Sequence, residues 1–318
     1  MRELRPQAGD LVKKQHVVSQ VLLRRFAGQD GNGGAVLIPY DIKNNRELKS
    51  RGTAACARVD HFVPWASQSL EELWQTVENK MGAATDRIEQ GRNDLNTIRA
   101  IRDAIALHLT RSTRYMRIHE ESALRAANVA QNKVLVRYYN ALGREYFEQN
   151  GRLPDGPRDL IDLADRLVRE RAHAGFDGSD KRIMIEEMFR NVKQILNCHA
   201  LEIWTAPPGC ELLVSDAPAF TIRYSADRSA VPLFNVAVGD AHAVVMPLSR
   251  TTLACVGKKK KRAVLTVEQV DFFNRALIQN ATRFVYYRPG SQLKNVVSHV
   301  LSSWGSGGHP SGTATPEG

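Results

Sequence analysis

The chain has 318 residues, 43% hydrophobic and 25% charged, the balance of a soluble globular protein rather than a disordered or fibrous one. Lys and Arg outnumber Asp and Glu by 44 to 34, a formal charge of +10 at pH 7, which makes a polyanion such as RNA or DNA the natural class of partner. No apolar run reaches the roughly 18 residues of a membrane span, and the opening "MRELRPQAGDLVKKQH" has no apolar signal core, so the expectation is a cytoplasmic chain without a membrane partner.

Residues 1–12 read as a flexible basic arm. In "KKQHVVSQVLLRRF", Lys13 to Phe26, Ser19 is placed to cap a short helix through Arg25, with Val21, Leu22 and Phe26 on its apolar side. "GQDGNGG" is a turn, "AVLIPYD" (Ala35 to Asp41) a strand and "NNRELKS" its hairpin partner. "SLEELWQTVENKMGAATDRIEQG" begins with Ser69 and has Glu72 three residues on, a capping-box pattern. Leu70, Leu73, Trp74, Val77, Met81 and Ile88 fall near one helical face, and Gly91 ends the helix. A second helix opens at Asn93 or Asp94 and is expected to run to about Ala130. Others follow near 131–149, 157–173 and from Lys181 to Cys198.

Beyond residue 198 the pattern changes. "ALEIWTAP", "CELLVSDAPAFTIRY", "HAVVMPLS" and "TTLACVG" are apolar, β-rich segments bounded by Pro, Gly and Asp. "TVEQVDFFNRALIQNATRFVYYR" returns to helix, with Thr266 and Gln269 at capping-box spacing. The pattern predicts an α+β fold: a helix-rich middle with an antiparallel or mixed sheet formed by N- and C-terminal strands. The two strand regions should join, because each alone has too few strands for independent stability. The expected organisation is one domain over 13–304, comprising a strand-and-turn unit (13–66), a helical part (67–198) and a sheet with a closing helix (199–304). The Gly/Ser/Pro/Thr-rich tail at 305–318 is expected to be disordered.

"QHVVSQVLLRRF" resembles the signature that opens the bacterial domain-of-unknown-function family 4238, a pattern like Q-H-Y-V-P-Q-x-x-L-R-x-F. Gln15, His16, Val18, Gln20, Leu23, Arg24 or Arg25, and Phe26 lie on it. Ser19 stands where the family usually has Pro, and Val17 replaces its aromatic. Later stretches are similar in order: "IPYD" with Asp41, "ELWQTVENKMGAATDRIE" with Glu78, and "LTRSTRYMR" with Arg111 and Arg114. "LLVSDAPAF" with Ser215, Asp216 and Pro218, then "VVMPLSRTTLA" with Pro247, Leu248 and Ser249, continue the series. "FNRALIQNATRFVYY", with Asn274 or Asn280 and Arg283, resembles the family's closing helix. The resemblance spans roughly residues 13–288. It implies a fold and carries no activity.

Three residues are candidates for chemistry. His16, close to Arg24 and Arg25, suits a neutral general base, since neighbouring positive charge disfavours the protonated imidazole; the alternative is a histidine that pins the N-terminal segment. Glu78, at the edge of a buried helix face, needs a cationic partner such as Arg111 or Arg114, in a site or in a structural ion pair. Asp216 follows an apolar strand, where a rigid element positions a carboxylate, although an Asx-type turn before Pro218 has the same signature.

Substrate-binding candidates are Gln15, Arg24, Arg111, Arg114 and the cations Lys258, Lys259 and Lys260 of the run "KKKKR". His108, Arg111, Ser112, Tyr115 and His119 fall on one side if the helix continues, a stripe able to grip phosphate or simply to face solvent. His16, Arg24, Asp41, Arg111 and Asp216 are expected to converge on one cleft.

Cys56, Cys198, Cys210 and Cys255 lack zinc-site spacing, and no second acid follows Asp216 at the spacing of a metal-dependent nuclease, so no metal ligands are assigned and a divalent-metal cofactor has no motif support. Walker, G-x-G-x-x-G, H-E-x-x-H and G-x-S-x-G motifs are absent. The leading expectation is a protein acting on nucleic acid, a phosphodiester-cleaving nuclease of defence or toxin type. The rivals are a non-catalytic nucleic-acid-binding or regulatory protein and a structural, partner-binding one.

Overall fold

The computed structural model describes residues 14–60, 68–112, 114, 137–174, 179–224, 232–258 and 262–305. They form the α+β architecture that the sequence predicts. Strand β1 (Lys14–His16) leads into helix α1 (Gln20–Arg24). Ser19 caps that helix: its Oγ accepts the Leu22 N–H at 3.3 Å, satisfying a donor that a helix start leaves open. Val17, Val18, Leu22, Leu23 and Phe26 are all buried, so the apolar half of the opening motif is core.

Four short strands flank the long one: β2 (Gly28–Gln29), then β3 (Ala35–Asp41), β4 (Arg46–Glu47), β5 (Arg51–Gly52) and β6 (Arg58–Asp60). The β3–β4 hairpin is the expected one, with Tyr40 opposite Glu47. β1 pairs with β6, His16 opposite Arg58.

Helix α2 (Gln68–Glu89) already includes Ser69, so the Ser69/Glu72 capping box is not its start; a cap lies outside helical backbone. Gly91, at φ +84°, stops it and donates to the Ile88 carbonyl. Helix α3 (Leu95–Thr110) is capped by Asp94, as read, but it ends far short of Ala130. Thr110 Oγ1 donates to the Ala106 and Leu107 carbonyls at 2.9 and 3.3 Å, an alternative to continued helix. Arg111 then turns out of helical geometry as the C-cap. The stripe counted from His108 therefore breaks at Arg111; Tyr115 and His119 lie outside the described residues. Residues 137–150 form α4, followed by α5 (Pro157–Ala174) and α6 (Ser179–Asn197).

The C-terminal strands are β7 (Ala200–Thr205), β8 (Val214–Ser215), β9 (Phe220–Arg223), β10 (Leu233–Phe234), β11 (Ala243–Pro247), β12 (Thr252–Gly257) and β13 (Arg262–Val264). Six of them make a sheet in the order β10-β9-β11-β12-β7-β13, antiparallel except for β13 on β7. Most of "CELLV" is not strand. The Leu212 N–H goes to the Arg250 carbonyl and the Leu213 N–H to Asn274 Oδ1, so a side chain replaces a ladder partner.

Helix α7 (Val267–Asn280) has the predicted box, with Thr266 and Gln269 satisfying each other's backbone N–H. The single closing helix expected here is in fact three elements. "FVYY" is strand β14 (Phe284–Tyr287), and α8 (Leu293–Gly305) follows. Tyr286 and Tyr287 are buried aromatics, the residue type that favours a covered strand. β14 pairs with β3 on one side and β8 on the other, in the sheet order β2-β3-β14-β8. The N- and C-terminal strand regions thus join. The main core runs from Val17 to Leu301; a satellite of Leu142, Leu160, Leu163 and Ala164 sits between α4 and α5.

Candidate functional site

Asp216 lies just beyond β8 and is 7% exposed. Its Oδ1 accepts the Thr282 N–H at 2.7 Å, and its Oδ2 accepts those of Arg283 and Phe284 at 2.8 and 3.0 Å. Burial pushes this carboxyl up, against the pull of the three backbone donors. The same turn is braced by Asn280, which donates to the Ala217 carbonyl at 2.5 Å. Arg283 reaches across to Asp41, whose carboxylate also takes the Asn44 backbone and side-chain N–H groups. Burial raises the Asp41 carboxyl, but Asn44 and Arg283 outweigh it and hold it below the usual range.

The hydrogen bonds of Asp216 run to the α7–β14 connection and not to the other charged candidates. No hydrogen bond or ion pair among the described residues joins Asp216 to His16, Arg24 or Arg111. The link to the opening motif is indirect: the Val17 N–H donates to the Ala57 carbonyl, and the Ala57 N–H donates to the Tyr286 hydroxyl on β14. Asp216 behaves as the turn-fixing acceptor of the alternative reading, with its donors supplied by the distant α7–β14 connection rather than by its own neighbours. Asp41 is occupied as well, by the Asn44 backbone and side-chain N–H groups and by the Arg283 guanidinium.

Glu78 and Arg111 pair between α2 and α3, and the Arg111 charge acts on His16 of β1. Arg111 Nη1 donates to Glu78 Oε1 at 2.6 Å, so of the two arginines the sequence offers as partners it is Arg111 that pairs. The Arg111 guanidinium lies over the Trp74 ring, 4.4 Å from its centroid, and only 4% of the arginine is exposed. Two buried donors here, Arg111 Nε and Trp74 Nε1, have no acceptor among the described residues.

His16 is half-buried and its Nε2–H donates to the Ala54 carbonyl at 3.2 Å, which leaves the lone pair on Nδ1. Burial lowers its pKa most, the Ala54 contact opposes this, and the Arg58 and Arg111 charges lower it further. The result is a neutral imidazole beside a cation. Trp74 was read as a core residue only; its position one turn before Glu78 is the signal that places it under the arginine.

The remaining candidates divide. Arg24 is exposed and bonds only Gln20, at 3.4 Å. Its neighbour Arg25 is the structural one, donating to Gly82 O at 3.0 Å and pairing with Asp86 and Glu89 on α2. The amphipathic α1 turns Arg25 toward α2 and Arg24 outward, which answers the sequence ambiguity between them. Arg114 donates to the Gln279 carbonyl at 2.8 Å. The Gln15 backbone pairs with Val59, and its side chain lies outside the described residues. Lys258 is exposed at the end of β12; Lys259 and Lys260 also lie outside the described residues.

His108, expected on a phosphate-gripping face, is fully buried. Its Nδ1–H donates to the Ala104 carbonyl at 2.8 Å, and Nε2 accepts from the Ser19 N–H at 3.3 Å, with Ser19 Oγ 3.1 Å away. Desolvation is the chief reason its pKa falls to about 4, with Ala104 opposing and Arg111 assisting. It anchors α1 to α3. Ser249 likewise ties the sheet to α2, donating to Glu89 at 2.5 Å. Among the described residues, no three His, Cys, Asp or Glu side chains are grouped to hold a metal ion, and no helix is long and apolar enough to cross a membrane.

The fold and its charged residues define a mixed-sheet α+β protein in which a buried arginine pairs with a partly exposed glutamate. Over residues 14–291 the sequence matches the family described as "Protein of unknown function (DUF4238)", and the chain belongs to that family. No curated protein and no solved structure matches it.

Proposed function

We propose that this protein acts on nucleic acid by cleaving phosphodiesters at the β1–α2–α3 junction. What carries the reading is the pairing of a neutral His16, its Nδ1 lone pair without a partner among the described residues, with the Arg111 guanidinium and the two unpartnered donors Arg111 Nε and Trp74 Nε1. In this scheme His16 takes the proton of the attacking hydroxyl as its oxygen bonds to phosphorus. The bond to the leaving oxygen breaks, and that oxygen is protonated in turn by imidazolium or water. Arg111, oriented by Glu78 and Trp74, offsets the charge that develops on the phosphoryl oxygens. The +10 chain charge and the cations from Lys258 supply non-specific phosphate attraction.

A second reading, binding without cleavage, is favoured by one observation: Asp216 is occupied by backbone donors, so it brings no second acid to His16. One assay separates the two. RNA and DNA are incubated with wild type and His16→Ala, with and without EDTA, and the melting temperature of each protein is recorded. Under the first reading wild type cleaves, and His16→Ala loses about 100-fold or more of the rate while melting within a few degrees of wild type. Binding by wild type without cleavage selects the second reading, and an active, folded His16→Ala removes the histidine from the chemistry.

A further inference from the structure

One end of the large sheet carries a different constellation. Tyr224 follows the last residue of β9, His242 precedes β11, and Lys258 follows β12; the sheet order sets these three strands side by side. Tyr224 is 44% exposed, a large aromatic facing water at a strand end. Its ring lies nearly parallel to that of His242, at 12° and 6.2 Å between centroids. The pair is held from below, since the Tyr224 N–H donates to His242 Nδ1 at 2.9 Å and the His242 N–H donates to the Ile222 carbonyl at 2.8 Å. His242 is itself exposed.

The neighbouring strand brings the charge. A Cβ built on Gly257 would stand 3.6 Å from the His242 carbonyl oxygen, so β12 passes directly beside the histidine before it reaches Lys258. Lys258 is exposed and opens the cationic run "KKKKR". Glu202 on β7 reaches the same place, its Oε1 3.5 Å from that same Cβ position.

We propose that the exposed Tyr224–His242 pair, with Lys258 beside it, is a stacking platform for single-stranded nucleic acid. The physical case is the combination. An aromatic face accepts any unpaired base, a lysine adjacent to it meets the backbone phosphate, and neither demands a sequence. A duplex keeps its bases stacked on one another and offers the tyrosine no face. The surface rests on the reading that nucleic acid is the substrate, and it adds to it the strandedness of that substrate and a second point of contact outside the cleavage site.

The test is fluorescence-anisotropy titration of the full chain with a labelled 20-mer of dT, a 20-mer of U and a duplex of equal length. Wild type, Tyr224→Ala, Tyr224→Trp and His16→Ala are compared, each first checked by circular dichroism. Tyr224→Ala is expected to weaken single-strand binding by about 5- to 100-fold, the range of one lost base–aromatic stack. Tyr224→Trp should restore it, duplex binding should stay unchanged, and the same loss should appear when Tyr224→Ala is made in the His16→Ala background, where the oligonucleotides stay intact. If Tyr224→Ala does not fold, Tyr224→Trp with 2-aminopurine in the oligonucleotide decides: tryptophan-to-base contact quenches the probe, and an unquenched bound probe overturns the platform. Equal binding by wild type and Tyr224→Ala, or an equal loss on single strand and duplex, overturns the platform while leaving nucleic acid as substrate. No binding of any oligonucleotide by wild type overturns both.

Discussion

The Asp216 turn and the His16–Arg111 junction are both built from motif residues, both charged and both at the margin of the core, yet they end in opposite conditions. At Asp216 both carboxylate oxygens are met by backbone N–H groups of Thr282, Arg283 and Phe284, and Asp41 is met by Arg283 and Asn44, while Asn280 Oδ1 alone in that turn has no partner among the described residues. At the junction the Arg111–Glu78 pair is made, but Arg111 Nε, Trp74 Nε1 and His16 Nδ1 keep unused capacity. A charged motif residue whose bonds are all internal holds the chain; one that leaves polar atoms over has something to offer a ligand.

The comparison breaks most visibly if Asp216 proves dispensable. Asp216→Ala leaves three buried N–H groups without an acceptor where β8, β14 and α7 meet, and it is expected to cost about 3–5 kcal/mol or prevent folding. Urea denaturation measures it. A variant with wild-type stability would move Asp216 out of the structural class and return it to the site.

Acid should sharpen the contrast next. His108 takes up a proton only near pH 4 when folded, against an ordinary 6.5, because burial disfavours its charged form. The unfolded chain therefore binds the proton first. Stability is level above about pH 6.5, falls as the pH drops through 4, and loses about 3 kcal/mol over that window. His16, also lowered but only half-buried, adds a smaller loss of the same sign. Denaturation midpoints taken from pH 8 to pH 4 test this. His108→Gln should flatten the slope between 6.5 and 4, and an unchanged slope would assign the loss to other groups.

The smallest effect separates the paired arginines. Arg24→Ala removes one exposed contact to Gln20 and should shift the melting temperature by less than about 2 °C. Arg25→Ala removes the link from α1 to Gly82, Asp86 and Glu89 and should shift it by clearly more. Thermal melts of the two variants side by side check the order, and a reversed order would mean that α1 is docked otherwise.

Much of the fold was legible because its signals are local. The Ser19 cap, the Thr266–Gln269 box, the Gly91 stop and the β3–β4 hairpin each depend on residues within a few positions of one another. The early end of α3 was not, because Leu95 to Ala130 keeps helical character and the residue that leaves it, Arg111, is held by Glu78 on α2, far off in the chain. "FVYY" followed a helix without a proline and read as its continuation; it is strand because β3 and β8, distant in the chain, offer it two ladders.

The sequence by itself determined the class of fold, the joining of the terminal strand regions and the need of Glu78 for an arginine, 111 or 114, since alternation, period and an acid at the edge of an apolar face are one-dimensional signals. It also determined the family. Only the tertiary structure decided what each charged motif residue does. Asp216, His108, Arg24 and Arg25 carry the same chemical labels wherever they lie, and their duties follow from which donors and acceptors the folded chain brings within about 3 Å, a distance that no spacing along the sequence encodes.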